Sequence, residues 1–285
     1  MLALSSASLS LTTPRAAPIM MGARGKAFKP YVKKVKVGPG ETVADLAALE
    51  DGAGVPALGF WDPLGFTNLD LYDLGQSGAI GWLRHAEIKH GRVAMAAFVG
   101  YCVQANDIVF PWAITGGPLG DTSTMFADIA AAGSPNDQWD AVPTAGKVQI
   151  LLTIAILESV GETAQPHYTK GGKPGFYPSL KDSPNIPHPI PFDLVDPFGF
   201  VNFADMDEEV KANRRKIEIN NGRLAMIGIF GLISASKGLI VPGLDGLGLK
   251  PYAGETMSFF GPGDVSLPLV QQMMDGYTLF PDVFN

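Results

Sequence analysis

Two stretches of the chain place a carboxylate, a second Lewis base and a guanidinium at the same spacing. They are Glu87-Ile-Lys-His90-Gly-Arg92-Val-Ala-Met95 and Glu218-Ile-Asn-Asn221-Gly-Arg223-Leu-Ala-Met226. Carboxylate and amide oxygens suit a hard ion such as magnesium, and imidazole is a general ligand. On a helix the residue three places after the glutamate sits about 60° around the same face, whereas the arginine five places on is about 140° away. Each helix therefore carries two bases one turn apart, and its own Glu and Arg do not meet. Pairing across the repeat, Glu87 with Arg223 and Glu218 with Arg92, gives two neutral pairs, a tolerable way to hold charge in a low dielectric. The alternative is that each arginine snorkels to an interface. With swapped pairs each glutamate keeps a free oxygen. Ligands that diverge cannot build a metal cage, but each can supply one axial ligand to a metal already held in a macrocycle.

The elements that must position these groups are long apolar helices. An almost charge-free run continues from the second motif to Ser236, close to the roughly 20 residues that cross a bilayer. A soluble core helix is the alternative for that segment alone, and the second copy decides between them. Small residues recur every third place in both copies, as Gly91, Ala94, Ala97, Gly100 and Gly222, Ala225, Gly228, Gly231. Such rows let membrane helices approach closely. The first span is expected over about Leu83–Gln104. A second apolar stretch, Val148–Val160, needs its flanks Thr144–Glu162 to cross. The third helix is expected to start before the membrane, with Asp207, Glu208 and Glu209 in its first turns, where the dipole favours acid. The fold class is thus an all-α membrane protein with three transmembrane helices, the first and third forming a pseudo-two-fold crossed pair.

The chain has 285 residues, 46% hydrophobic and 17% charged, with net charge −7. That suits a small membrane domain with polar connections, and the acidic balance excludes nucleic acid as a natural partner. Cys102 is the one cysteine, so there is no internal disulfide and no multi-cysteine metal site. Residues 1–40 contain no Asp or Glu and are rich in Ser and Thr with Arg15 and Arg24, the composition of a plastid transit peptide. Cleavage is expected near Met20–Gly22, giving a transit segment 1–21 and then a basic arm from Lys26 to Lys36. Residues 38–81, rich in Gly and Pro, read as an extended surface segment. The domains are therefore the transit peptide, an N-terminal segment 22–81, a three-helix domain 82–240 and a tail 241–285. Lys and Arg flank the amino end and the loop between spans two and three, while residues 105–146 carry none. The positive-inside rule puts the amino end and second loop on one side and the tail on the other, the stroma and lumen if the organelle is a plastid. Val265–Phe280 is a candidate interfacial amphipathic helix.

The doubled motif resembles the chlorophyll-binding light-harvesting proteins of plastids. The shorter repeat Phe60-Trp-Asp-Pro-Leu-Gly-Phe66 and Val195-Asp-Pro-Phe-Gly-Phe200 resembles the loops before the first and third helices of that family, and the whole is similar to its red-lineage chlorophyll a/c (fucoxanthin-type) branch. The resemblance covers about residues 55–240. It implies that Glu87, His90, Glu218 and Asn221 each ligate a chlorophyll magnesium, with Arg92 and Arg223 as cross-helix partners that neutralise the ligating carboxylates. In the middle span it implies ligands at Gln149 and Glu158, which helix geometry puts on opposite faces; a solvated or interfacial role is the alternative for each. The Asp62-Pro63 and Asp196-Pro197 turns become carotenoid-proximal loops. Where the family often has a Gln along the third helix, this chain has Ala235 and Ser236, and it lacks a late histidine. His85, His167 and His188 read as interfacial or loop residues.

The implied function is a light-harvesting antenna, not an enzyme, binding chlorophyll a, chlorophyll c and fucoxanthin-type carotenoid. It would lie in thylakoid lipid and pass excitation to a photosystem I or II core and neighbouring antenna proteins. One alternative is a photoprotective quencher sensing acid through Asp107, Asp121, Asp128, Asp137 and Asp140, although unperturbed Asp titrates near about 4. Another is an unrelated membrane transporter or enzyme, since intramembrane charges mark ion paths. Proton relays need converging groups, and these diverge.

Overall fold

The computed structural model describes residues 40–47, 60–114, 124–181, 193–198, 206–256, 258–268 and 270–271, all within the unit Val35–Asn285. The expectations for the transit segment, the basic arm, His188, Asp121 and most of Val265–Phe280 lie outside the described residues. Besides the helical residues 43–47, the described residues hold five α-helices: α1, Gly75–Ala105; α2, Phe126–Ala130; α3, Pro135–Ala141; α4, Thr144–Gly161; and α5, Glu208–Ser236.

Local chemistry sets these bounds. Asp70 accepts from the Gly75 N–H at 2.7 Å where α1 begins, and Gly75 holds a left-handed φ of 74° there. At the other end of α1 the Asn106 side chain returns to the Cys102 carbonyl at 2.7 Å. Ser134 and Asp137 form a capping box on α3, with Pro135 preset for its first turn. Asp207 stands at the N-cap of α5 and Glu208 and Glu209 fill its first turn, while Gly238 closes it with φ 86°.

α1 and α5 form the one extensive helix–helix contact among the described residues. The two lie backbone to backbone where the repeats meet. A Cβ built on Gly91 would come 3.0 Å from the Gly222 Cα, and one on Gly222 would come 2.9 Å from the Gly91 Cα. Any side chain there forces the helices apart. By contrast α4 is exposed along its length: Val148, Ile150, Leu152, Ile154 and Ile156 all face outward. It is also the one helix among the described residues long and apolar enough to cross a membrane by composition. α1 and α5 fall short of that measure because the motif charges sit in them.

The extended reading of 38–81 is corrected. Residues 43–47 are helical, short 3-10 turns occupy Phe66–Asn68 and Leu71–Asp73, and α1 already runs from Gly75. The glycines that read as breakers are contact points within the helix. A Cβ on Gly81 would lie 2.3 Å from the Tyr168 carbonyl oxygen, and one on Gly78 would lie 3.0 Å from that of Thr169. The loop after α4 is thus seated on the first turns of α1, and the tertiary contact overrides the local cost of glycine in a helix.

The residues after α5 are tied down by polar contacts. Tyr252 N–H donates to the Ser236 carbonyl at 2.9 Å, the Tyr252 hydroxyl to Asp140 at 2.9 Å, and Lys250 to Asp107 at 3.0 Å. Lys147, wholly buried in the first turn of α4, donates to Asp264 at 2.6 Å, and Thr144 reaches the same carboxylate at 2.5 Å. These contacts strap the described residues between 236 and 264 across the carboxyl ends of α1 and α5 and the amino end of α4.

Candidate pigment-ligating site

The two sequence motifs meet at the Gly91/Gly222 crossing, and their charges exchange partners. Arg223 donates through Nε to Glu87 Oε1 at 2.7 Å, and Arg92 donates through Nε to Glu218 Oε1 at 2.6 Å. The carboxylates are part-buried: their side chains keep 26% and 33% of their exposure, enough that neither is cut off from ligand or lipid. Arg92 also donates to the Gly175 carbonyl at 2.6 Å. Gly175 (φ 72°) in turn gives its N–H to His85 Nδ1 at 3.1 Å, and a Cβ there would strike Ile88 at 2.7 Å. One residue of the loop after α4 thereby fixes two side chains of α1.

The free-oxygen expectation holds for one glutamate and not for the other. Glu218 Oε2 has no donor among the described residues. Glu87 Oε2 instead accepts from Arg84 Nη1 at 2.5 Å, so both of its oxygens are engaged. Arg84 is nearly buried, which leaves its guanidinium little alternative to the carboxylate one turn on.

His90 is exposed, and its Nδ1 lies 2.7 Å from the Ala86 carbonyl. A carbonyl only accepts, so Nδ1 carries the proton and Nε2 presents its lone pair outward. That is the tautomer of a metal-ligating histidine whose second nitrogen is fixed by backbone. Asn221 is exposed at the matching place on α5. These donors, with the free oxygen of Glu218, fit single axial ligation of magnesium, while no group of three or more metal-ligating side chains exists among the described residues. In α4, Gln149 is exposed, whereas Glu158 is ion-paired through Oε2 to Lys89 of α1. That pair and the hydrogen bond from Tyr177 to the Leu157 carbonyl tether one end of α4 to its neighbours.

Around the site, His85 stacks on Tyr168 with ring centroids 3.9 Å apart and 14° between planes. Burial, a hydrogen bond to Glu162 and the nearby carboxylates push the Tyr168 phenol up to about 12. Before α1, Asp62 accepts from the N–H groups of Phe66 and Thr67 at 3.0 Å and from the Thr67 hydroxyl at 2.7 Å. The Thr67 bonds hold its carboxyl below the usual carboxylate range and fix the Asp-Pro turn. The four candidate acid sensors among the described residues are occupied otherwise. Asp128 and Asp137 cap helices, Asp107 pairs with Lys250, and Asp140 accepts from Tyr252.

Sequence reasoning did not single out Arg84, Gly175 or the Lys147–Asp264 pair. Arginine three places before the glutamate does recur, as Arg84 and Arg215, and Lys147 is a lone cation at the mouth of an apolar run. Neither pattern names a partner.

A reciprocal ion-paired helix crossing with outward-facing Lewis bases suits a scaffold for macrocyclic pigments. The profile of the chlorophyll a-b binding protein family matches residues 46–237. The chain belongs to this family of light-harvesting proteins. It is 34% identical over 218 residues to fucoxanthin-chlorophyll a-c binding protein F of Phaeodactylum tricornutum, covering 75% of this chain and 91% of the relative. It is also 34% identical over 197 residues to a fucoxanthin-chlorophyll a-c binding protein of Trieres chinensis, covering 69% of this chain and 82% of the relative. Protein A of that name from Macrocystis pyrifera is 34% identical over 192 residues, covering 65% of this chain and 70% of the relative.

Proposed function

We infer that this chain is a thylakoid light-harvesting antenna that holds chlorophyll a, chlorophyll c and a fucoxanthin-type carotenoid, and transforms no substrate. The observation that carries this reading is the exchange of ion pairs at the Gly91/Gly222 crossing, which neutralises two carboxylates and leaves His90 Nε2, Asn221 and Glu218 Oε2 facing outward. Chlorophyll, when bound, supplies light absorption and excitation transfer. The protein supplies rigidity. Glu87, His90, Glu218 and Asn221 would each hold the magnesium of one chlorophyll, and Gln149 and Glu158 would add sites on α4, Glu158 through the oxygen that Lys89 does not take. The exposed apolar flanks of α1, α4 and α5 support three membrane spans with α1 and α5 related by a pseudo-two-fold axis. In this arrangement 1–21 is a transit peptide, 22–81 is stromal, the spans lie within 82–240, and the strap from 241 onward is lumenal. The excitation acceptor is a photosystem core, I or II, or a neighbouring antenna.

Reconstitution of the full chain with a mixture of chlorophyll a, chlorophyll c and fucoxanthin tests this. The expected product is a coloured monomer whose chlorophylls accept energy from the carotenoid, seen as chlorophyll fluorescence on carotenoid excitation. A folded product that retains no pigment would sink the reading.

A further inference from the structure

The two half-sites are copies in sequence but not in wiring. Each has an arginine three residues before its glutamate, Arg84 before Glu87 and Arg215 before Glu218. Arg84 is nearly buried, donates to Glu87 Oε2 at 2.5 Å, and lies 3.6 Å through Nε from Glu41. Arg215 is exposed and makes no hydrogen bond or ion pair to Glu218. Two described segments lie on α1, the loop that carries Tyr168, Thr169 and Gly175 and the segment 40–47, and together they explain the difference. The loop meets α1 at Gly78, Gly81 and His85, while residues 40–41 meet it at Ser77 and Arg84; Arg84 and His85 are both buried, which gives the Arg84 guanidinium little solvent to turn to. No described element covers α5 at Arg215 in the same way.

We propose that Arg84 is a positioning residue for the Glu87 pigment site, a role that rests on Glu87 being a magnesium ligand. With Arg223 on Oε1 through both Nε and Nη2 at 2.7 Å and Arg84 Nη1 on Oε2, the Glu87 carboxylate is pinned in its own plane between two guanidinium groups. Such a carboxylate presents one fixed lone pair and donates less electron density than the singly paired Glu218. Glu41 and Arg223 complete a four-charge cluster of zero net charge around it. The two glutamate-ligated chlorophylls therefore differ in ligand strength and in local field, although the motif that ligates them is repeated. One scaffold thus gives its two central pigments different excitation energies, the condition for directed energy flow between them.

The test compares full-length Arg84→Gln, Arg84→Lys, Arg215→Gln and Glu87→Val chains reconstituted with chlorophyll a, chlorophyll c and fucoxanthin. Pigment count, low-temperature absorption and far-ultraviolet circular dichroism are the readouts. Glu87→Val is expected to lose one chlorophyll. Arg84→Gln is expected to keep the helix signal, to broaden and shift the band that Glu87→Val removes, and to hold that pigment less completely. Arg84→Lys, which keeps the charge, is expected to recover most of the occupancy, and Arg215→Gln to match the unaltered chain. Full pigment content in Glu87→Val removes the ligand assignment and the proposal with it. Loss of one pigment in Glu87→Val, with Arg84→Gln indistinguishable from Arg215→Gln, overturns the positioning role alone. So does failure of both Arg84 variants to fold while Arg215→Gln folds, which would make Arg84 a folding residue only.

Discussion

The α1–α5 crossing and helix α4 hold their places by opposite means. The crossing is closed by protein alone: backbone meets backbone at Gly91 and Gly222, and two ion pairs bracket the contact. Among the described residues, the polar contacts that fasten α4 lie near its ends. Lys147 and Thr144 bind Asp264 at one end, Lys89 and Tyr177 take the other, and the residues between show an apolar surface to the surroundings. Clamping a helix by its termini leaves its flanks open for large flat ligands and lipid, whereas a helix packed along its length has no room for them. The crossing sets the frame and α4 borders the space.

Breaking the crossing is expected to have the largest effect. Gly222→Leu puts a side chain where even a Cβ meets backbone at 2.9 Å, an overpacking of about 3 kcal/mol or more. Reconstitution with pigments, read on a native gel, is expected to yield no coloured monomer; a normal yield would mean that the helices do not need to touch. Next comes Lys147→Met, which strands a buried carboxylate at Asp264 and costs about 3–5 kcal/mol. Thermal loss of circular dichroism is expected at markedly lower temperature, and restoration by the double change with Asp264→Leu would tie the cost to the pair.

A local effect follows. His90→Leu removes the outward Nε2 without touching the crossing, and is expected to cost one chlorophyll with helix content unchanged. The smallest effect is that of acid. Burial raises the Asp264 carboxyl, but hydrogen bonds from Lys147, Thr144 and the Gly261 N–H outweigh it and leave it below its ordinary value of 3.8. Its folded pKa is depressed, so its stabilisation is present above 3.8 and is lost only as pH falls through the lower, folded value. Melting temperature is therefore expected to be flat from pH 7 to pH 5 and to drop below about pH 4. A fall between pH 7 and 5 would point instead to a sensor among Asp107, Asp128, Asp137 and Asp140, and would revive the quencher reading.

The repeated Glu-x-x-His/Asn-x-Arg motif, the small-residue rows and the apolar runs determine three long helices and which charges cannot pair within one helix. Those are local facts, set by 3.6 residues per turn and by the cost of charge in an apolar medium. The start of α1 at Gly75 was not legible, because glycines that read as breakers serve close contact with a loop almost 90 residues away. Nor was the Lys147–Asp264 pair, since opposite charges far apart in sequence have many possible partners until the chain is folded. The second cation on Glu87 was settled the same way: Arg84 and Arg215 occupy matching places in the repeat, and only the segments packed over α1 bury one and leave the other outside. Sequence fixes which groups are available; burial, which depends on what lies on top of them, decides which must bond.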